Sequence, residues 1–475
     1  MYFNSFTFLF FLAIVLPVYY ALSHRWQNRL LLAASYVFYG TWDWRFLFLL
    51  AGSTVVDFLV AGRLERTADV RVRRWLLGVS LTVNLGFLFA FKYFNFFVDS
   101  FCMMTSHLGL GELSWAMRVV VPVGISFYTF QTLAYTIDVY RRKVQPTRDF
   151  VNFALYVSYF PQLVAGPIER AGRLLPQIRQ KRVVRPEQLA AAMQLILMGY
   201  VKKIAIADAV APYVNDIFAE PAACSTLKLL VGLYLFAIQI YGDFSGYSDI
   251  ARGVSRLFGI ELMVNFRQPY LSASITEFWR RWHISLSSWL REYLYIPLGG
   301  NRHGKLKTYR NLMIVMLLGG LWHGASWTFV IWGGLHGLYL AVERMMHGHS
   351  SKRAEVETDL TLGQWSGFVL RVLFTFHLVC LAWLFFRADS FGNAFTYLAG
   401  LLHGGLACEQ ALMVVVLFYA GLMLLIDLPC WVDDREVPFV QGTRWYVRGI
   451  AQAAALILIT FVGASGATEF IYFQF

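Results

Sequence analysis

Apolar runs of roughly 20 residues follow one another along almost the whole chain, separated by short polar loops. They predict membrane spans at Phe6–Leu22, Leu30–Gly62, Trp75–Phe97, Val119–Tyr140, Leu189–Ala207, Leu227–Tyr241, Asn311–Val342, Phe368–Phe386, Ala411–Leu428 and Val447–Val462. Two of these runs are too long for one straight helix. They are interrupted at Gly40–Trp44 and around the glycines beside His323, so each predicts a bent hairpin or a broken helix. The total is about ten to twelve spans. The stretch Phe150–Gly166 is equally apolar, but Pro161, Gly166 and Pro167 interrupt it, which predicts a re-entrant segment or paired half-helices. The pattern predicts an all-α polytopic membrane protein with one membrane-embedded domain over 1–475. It comprises N-terminal spans (1–140), a core (150–345) and C-terminal spans (365–475), with His347–Thr361 as the only soluble-looking linker.

One stretch has a different pattern. From Ile275 onward, Trp279, Trp282, Leu286, Trp289 and Tyr293 recur on one helical stripe, and Arg280, His283, Ser287 and Arg291 on another. Aromatics opposite arginines predict a helix lying at the membrane interface.

Composition sharpens this picture. Of 475 residues, 58% are hydrophobic and 15% charged, against ~25% charged in soluble domains. The first apolar run lacks a basic leader and a small-residue cleavage site, so it predicts a retained span. The net charge of +12 resides in short loops: Arg63–Arg74, Tyr140–Arg148, Glu169–Arg185 and Arg302–Arg310. Loops Asp99–Trp115 and Asp208–Ser225 are poor in Lys and Arg, so the first group is predicted cytoplasmic and the second outside, with the N-terminus. Charge placed this way serves topology and anionic lipid contact, and nucleic-acid binding is excluded. The five cysteines are scattered and indicate neither a metal site nor a disulfide framework. There is no phosphate loop and no H-E-x-x-H.

Candidate chemistry centres on two histidines. His323 lies in an apolar run among Gly319, Gly320 and Gly324, which are read as stripping bulk and opening room for a ligand beside an imidazole able to take a proton. An ionisable group at membrane depth is costly and by default functional. His283 is read as a second polar group on the face of Arg280, which with Arg281 could hold phosphates. Glu277, one turn before Arg281, reads as its salt-bridge partner. Trp282 and Trp322, adjacent to the histidines, and Ser287, Asn301 and His336 are expected to line the substrate path. Asp243 and Asp249, flanking Ser245 in GDFSGYSD, are read as counter-ions for the Arg-rich helix in preference to cavity lining, with Asp243 also expected among the substrate-binding residues; Ser245 lacks the G-x-S-x-G context of a nucleophile.

Five stretches carry a resemblance: VPVGISFYTFQTLAYTIDVYR, SYFPQLVAGPIER, QIYGDFSGYSDIARG with NFRQPY, TEFWRRWHISLSSWLREYLYIPLGGNRHG, and NLMIVMLLGGLWHGASWTFVIWGGLHG. They closely resemble the bacterial membrane-bound O-acyltransferases, in the branch of exopolysaccharide O-acetylation. The resemblance implies a ring of tilted helices around a tunnel joining a cytoplasmic funnel to an outer vestibule. It implies that His323 is catalytic and that His283 lies in the funnel. The expected reaction is acetyl transfer in the bacterial inner membrane, with no bound cofactor, from cytoplasmic acetyl-CoA to an extracytoplasmic polysaccharide through an SGNH-hydrolase-type partner. In that reaction His323 is the general base, and His283 orients the thioester or polarises its carbonyl. The alternative class is a transporter or flippase for an activated saccharide, which also uses broken helices with polar groups at the midplane.

Overall fold

A computed structural model describes residues 1–110, 118–347, 361–438, 444–463 and 470–471. The described residues are helical, with no strand among them. Six helices are long and apolar enough to cross a membrane: His24–Arg66, Val70–His107, Pro186–Ala219, Thr226–Leu257, Gly363–Arg387 and Gln410–Val432; Phe6–Ala21 and Trp445–Phe461 are shorter and apolar. The chain is a multi-pass membrane protein. Most of the expected linker His347–Thr361 lies outside the described residues.

Both long interrupted runs break where the sequence places the break. A tight turn at Trp44–Phe46 divides His24–Asp43 from Leu47–Arg66, and Asp43 caps it by accepting the Arg45 N–H at 3.0 Å. The second run becomes two helices, Lys305–His323 and Trp327–His347.

The chain divides into two compact units. In the first (Met1–Met193 with Ala251–Met263), the re-entrant expectation corresponds to two short helices, Phe150–Ser158 and Phe160–Leu163, broken at Tyr159 and buried through most of their length. Gly124, in the VPVGISFY stretch, starts Ile125–Tyr140 at φ 76°, and an added Cβ would meet the Leu163 carbonyl oxygen at 2.7 Å. Asp57 is fully buried and accepts hydrogen bonds from Ser80, from Asn84 Nδ2 at 2.9 Å and from Thr136 at 3.1 Å. This carboxylate is thus held by neutral donors from two neighbouring helices, Val70–Leu88 and Ile125–Tyr140.

In the second unit (Gln194–Ile250 with Val264–Phe475), glycines set how closely helices approach. A Cβ on Gly320 would fall 2.2 Å from the Phe329 carbonyl oxygen, and one on Gly333 would fall 2.2 Å from that of Met316. The two helices of the Lys305–His347 hairpin therefore pack backbone against backbone. A Cβ on Gly324 would overlap the Phe329 ring at 2.2 Å. This corrects the expectation that these glycines open room for a ligand: Gly320 and Gly324 are filled by their neighbours. Gly199 and Gly246 meet in the same way, each added Cβ lying 2.8 Å from the other's carbonyl oxygen.

Candidate active site

The helix expected over Ile275–Tyr293 is not continuous. Ile275–Arg281 ends at Trp282, and Ile284–Leu290 begins after His283, which adopts the left-handed conformation (φ 41°, ψ 55°) rare for a residue with a side chain. Asn265 stabilises the break. Its backbone carbonyl accepts the Ile284 N–H at 2.9 Å, and its side-chain Oδ1 accepts the Ser285 N–H at 3.2 Å and the Ser285 hydroxyl at 2.9 Å. Asn265 thereby caps the second helix from outside its own segment.

The break turns His283 inward. It is fully buried, while Arg280 is exposed, so the shared face expected from the helical period does not exist. Arg281 pairs with Glu277 at 2.9 Å, as the spacing predicts, and also donates to the Arg267 carbonyl at 3.2 Å.

His283 Nδ1 lies 3.1 Å from Asn265 Oδ1. Because that atom already accepts a backbone N–H, it is an oxygen, and Nδ1 must carry the proton. The Nε2 lone pair of His283 is then its basic position. Burial pushes the imidazole down to about 3, so it is neutral at physiological pH.

His323 closes the opposite side. It is the last residue of Lys305–His323, 4% exposed, and its ring centroid lies 6.3 Å from that of His283. The fold thus brings together two histidines forty positions apart. Trp322 stands beside both, 5.0 Å from His323 and 5.8 Å from His283. Trp332 (4.9 Å) and Phe386 (5.6 Å) also approach the His323 ring. Trp282 is fully buried and packs on Trp383 at 5.1 Å. Trp332, Trp383 and Phe386 escaped sequence reasoning, because an aromatic in an apolar run has the same signature whether it faces lipid or a site.

Other expected residues stand elsewhere. Ser287 donates its hydroxyl to the Trp282 carbonyl at 3.1 Å and so belongs to the helix break. Asn301 is exposed, in the turn preceding Lys305–His323. His336 is fully buried one layer behind His323, with Trp332 between them, 4.9 Å from each ring.

Asp243 and Asp249 are counter-ions, but to lysines rather than to the arginines expected. Lys202 contacts Asp249 at 2.7 Å, and Lys203 contacts Asp208 at 2.7 Å and Asp243 at 2.8 Å. Both lysines ride the π-helical turn Val201–Asp208, whose backbone Gly242 and Gly246 approach closely. Asp243 also accepts the Ile471 N–H at 2.6 Å. That contact docks Phe470 onto Phe244, at 5.4 Å, and Phe244 meets His283 edge-on at 4.7 Å.

Comparison with known proteins places the chain in a family. The family model of the membrane-bound O-acyltransferases matches residues 89–387. A protein of Azotobacter vinelandii named "Probable alginate O-acetylase AlgI" is 44% identical, covering 85% of this chain and 79% of its own. Its namesake from Pseudomonas putida is 42% identical over the full length of both chains. The peptidoglycan O-acetyltransferase of Helicobacter pylori is 33% identical, covering all of this chain and 97% of its own. With that match spanning both histidines, the chain is an acyltransferase and belongs to the membrane-bound O-acyltransferase family.

Proposed function

We propose that this enzyme moves an acetyl group from cytoplasmic acetyl-CoA to an extracytoplasmic polysaccharide of the alginate type in a bacterial inner membrane, with an SGNH-hydrolase-type partner completing delivery. The observation that carries the reading is the buried pair His283 and His323 at 6.3 Å, one with its tautomer fixed by Asn265. O-acyl transfer needs a hydroxyl deprotonated as it attacks a thioester carbonyl, and an imidazole suits that task. His323 takes the hydroxyl proton, and the thiol of coenzyme A leaves with a proton. His283, with a lone pair at Nε2, accepts a hydrogen bond and orients a reactant; in this neutral tautomer Nε2 has no proton with which to polarise the carbonyl. The names of the relatives, which specify O-acetylation of alginate and peptidoglycan, support acetyl as the cargo and a cell-envelope polymer as its destination. The basic loops support a cytoplasmic donor side. The transporter alternative loses its ground with the family assignment.

The test is purified enzyme in nanodiscs with radiolabelled acetyl-CoA and alginate oligosaccharide, with and without the partner. Label reaching the polymer, lost in His323→Ala, is the expected result. Label retained on coenzyme A under every condition overturns the reading.

A further inference from the structure

The helix Trp327–His347 carries three buried polar atoms that make no hydrogen bond to the described protein: Trp332 Nε1, His336 Nε2 and the Tyr339 hydroxyl. Trp332 and His336 are fully buried. Burying a polar atom without a hydrogen bond is costly, and one such atom in a folded protein calls for an explanation. Three in a row at intervals of four and three residues lie on one helical stripe.

Their chemistry is uniform. Trp332 Nε1 can only donate. The Trp279 indole N–H lies 3.3 Å from His336 Nδ1, so Nδ1 accepts and the proton sits on Nε2, making Nε2 a donor. The Tyr339 hydroxyl can donate as well. Ring centroids are 4.9 Å apart for His323 and Trp332, 4.9 Å for Trp332 and His336, and 5.9 Å for His336 and Tyr339. A line of donors thus leads away from His323 along the helix, with steps of about 6 and 4.5 Å in axial rise.

We propose that this line reads the carbonyl oxygens of a pantetheine-type acyl donor. Trp332 binds the thioester carbonyl beside His323, His336 the first amide carbonyl of the arm, and Tyr339 the second. The inference rests on the acyl-thioester reading above and deepens it by assigning a register. The arm is common to coenzyme A and to an acyl-carrier protein, and the position of Tyr339, toward the chain end of the helix that returns from His323, sets where the carrier end of the donor leaves the protein.

The test is binding of non-transferable acetonyl thioethers to the full chain in nanodiscs, by calorimetry. The thiol is 2-mercaptoethanol (no amide), N-acetylcysteamine (one), pantetheine (two) or coenzyme A; an acetonyl-pantetheinyl carrier protein distinguishes the two sources. Wild type is expected to gain about tenfold in affinity with each amide. His336→Phe removes the gain from the first amide and Tyr339→Phe the gain from the second, whereas Trp332→Phe weakens the whole series alike. His336→Asn, which keeps an N–H donor, restores part of the first gain, and matching elution profiles establish that the variants fold. Binding by wild type with His336→Phe and Tyr339→Phe each weakening every ligand equally, or none, overturns the register and leaves the thioester reading standing. Absence of binding to any member of the series by wild type overturns both.

Discussion

Asn265 Oδ1 and His283 Nδ1 lie 3.1 Å apart, and this contact sets both the backbone break and the protonation of the imidazole. The same oxygen accepts the Ser285 N–H, so removing it both uncaps a helix and frees the tautomer. Asn265→Ala is expected to lower acetyl transfer about 10- to 100-fold, the usual scale for a group that orients a functional histidine. Asn265→Asp keeps the acceptor and adds a negative charge, so it retains more rate than Ala and raises the imidazole pKa. Rates from pH 5 to 9 check both, and equal rates in Asn265→Ala and wild type would remove Asn265 from the site.

The hairpin glycines give a sharper expectation. A Cβ at Gly320 or Gly333 would lie 2.2 Å from a carbonyl oxygen of the facing helix, with backbone on both sides and no flexible end to yield. Gly320→Ala and Gly333→Ala should each destabilise by about 1–3 kcal/mol or more, as overpacking does. Gly334 is the control, since its added Cβ meets only Leu317 Cδ2 at 3.5 Å. Gly334→Ala should elute and melt as wild type does. Normal melting of Gly320→Ala would mean the helices stand further apart.

Much of this was legible in the sequence. The apolar runs gave the helices, the glycine interruptions gave the breaks, and an imidazole among apolar residues marked His323. The helical period misled at His283, because periodicity assumes a continuous helix and carries no sign of a left-handed residue fixed by an asparagine eighteen positions away. The glycines beside His323 misled for a related reason. A missing side chain signals space only if no partner fills it, and Phe329 does. Asp243 and Asp249 were recognised as counter-ions, but their lysines lie on a π-helical turn some forty residues upstream, and only the fold pairs them.

That ion cluster is itself testable. Lys203 is 4% exposed and touches two carboxylates, Asp208 and Asp243. Lys203→Met leaves both without their cation, and breaking a buried pair from one side costs about 3–5 kcal/mol. The triple variant Lys203→Met, Asp208→Asn, Asp243→Asn removes every charge and should recover most of that loss. Thermal melting in detergent reads the comparison. A triple variant no more stable than Lys203→Met would show that the charges themselves are needed.

Glu169, in the AGPIER stretch, gives a stability dependence on pH whose sign is fixed. Its side chain is fully buried in a loop outside the spanning helices and accepts the Met263 N–H. Burial pushes the carboxyl up to about 7, with that N–H and the charges of Arg173, Arg170 and Arg252 pulling the other way. A carboxyl raised in the folded state binds its proton more tightly there than in the unfolded chain. Its contribution is therefore fully present below the unfolded value, about 4.5, and is lost as pH rises through about 7. Glutamine mimics the protonated acid in shape and keeps an acceptor for Met263. Glu169→Gln should melt close to wild type at pH 5 and increasingly above it toward pH 8, by an amount approaching roughly 3 kcal/mol. Melting of both proteins by tryptophan fluorescence across that range gives the difference directly. A difference that stays constant with pH, or shrinks as pH rises, would show that Glu169 is ionised in the folded protein throughout and that the three arginines outweigh its burial.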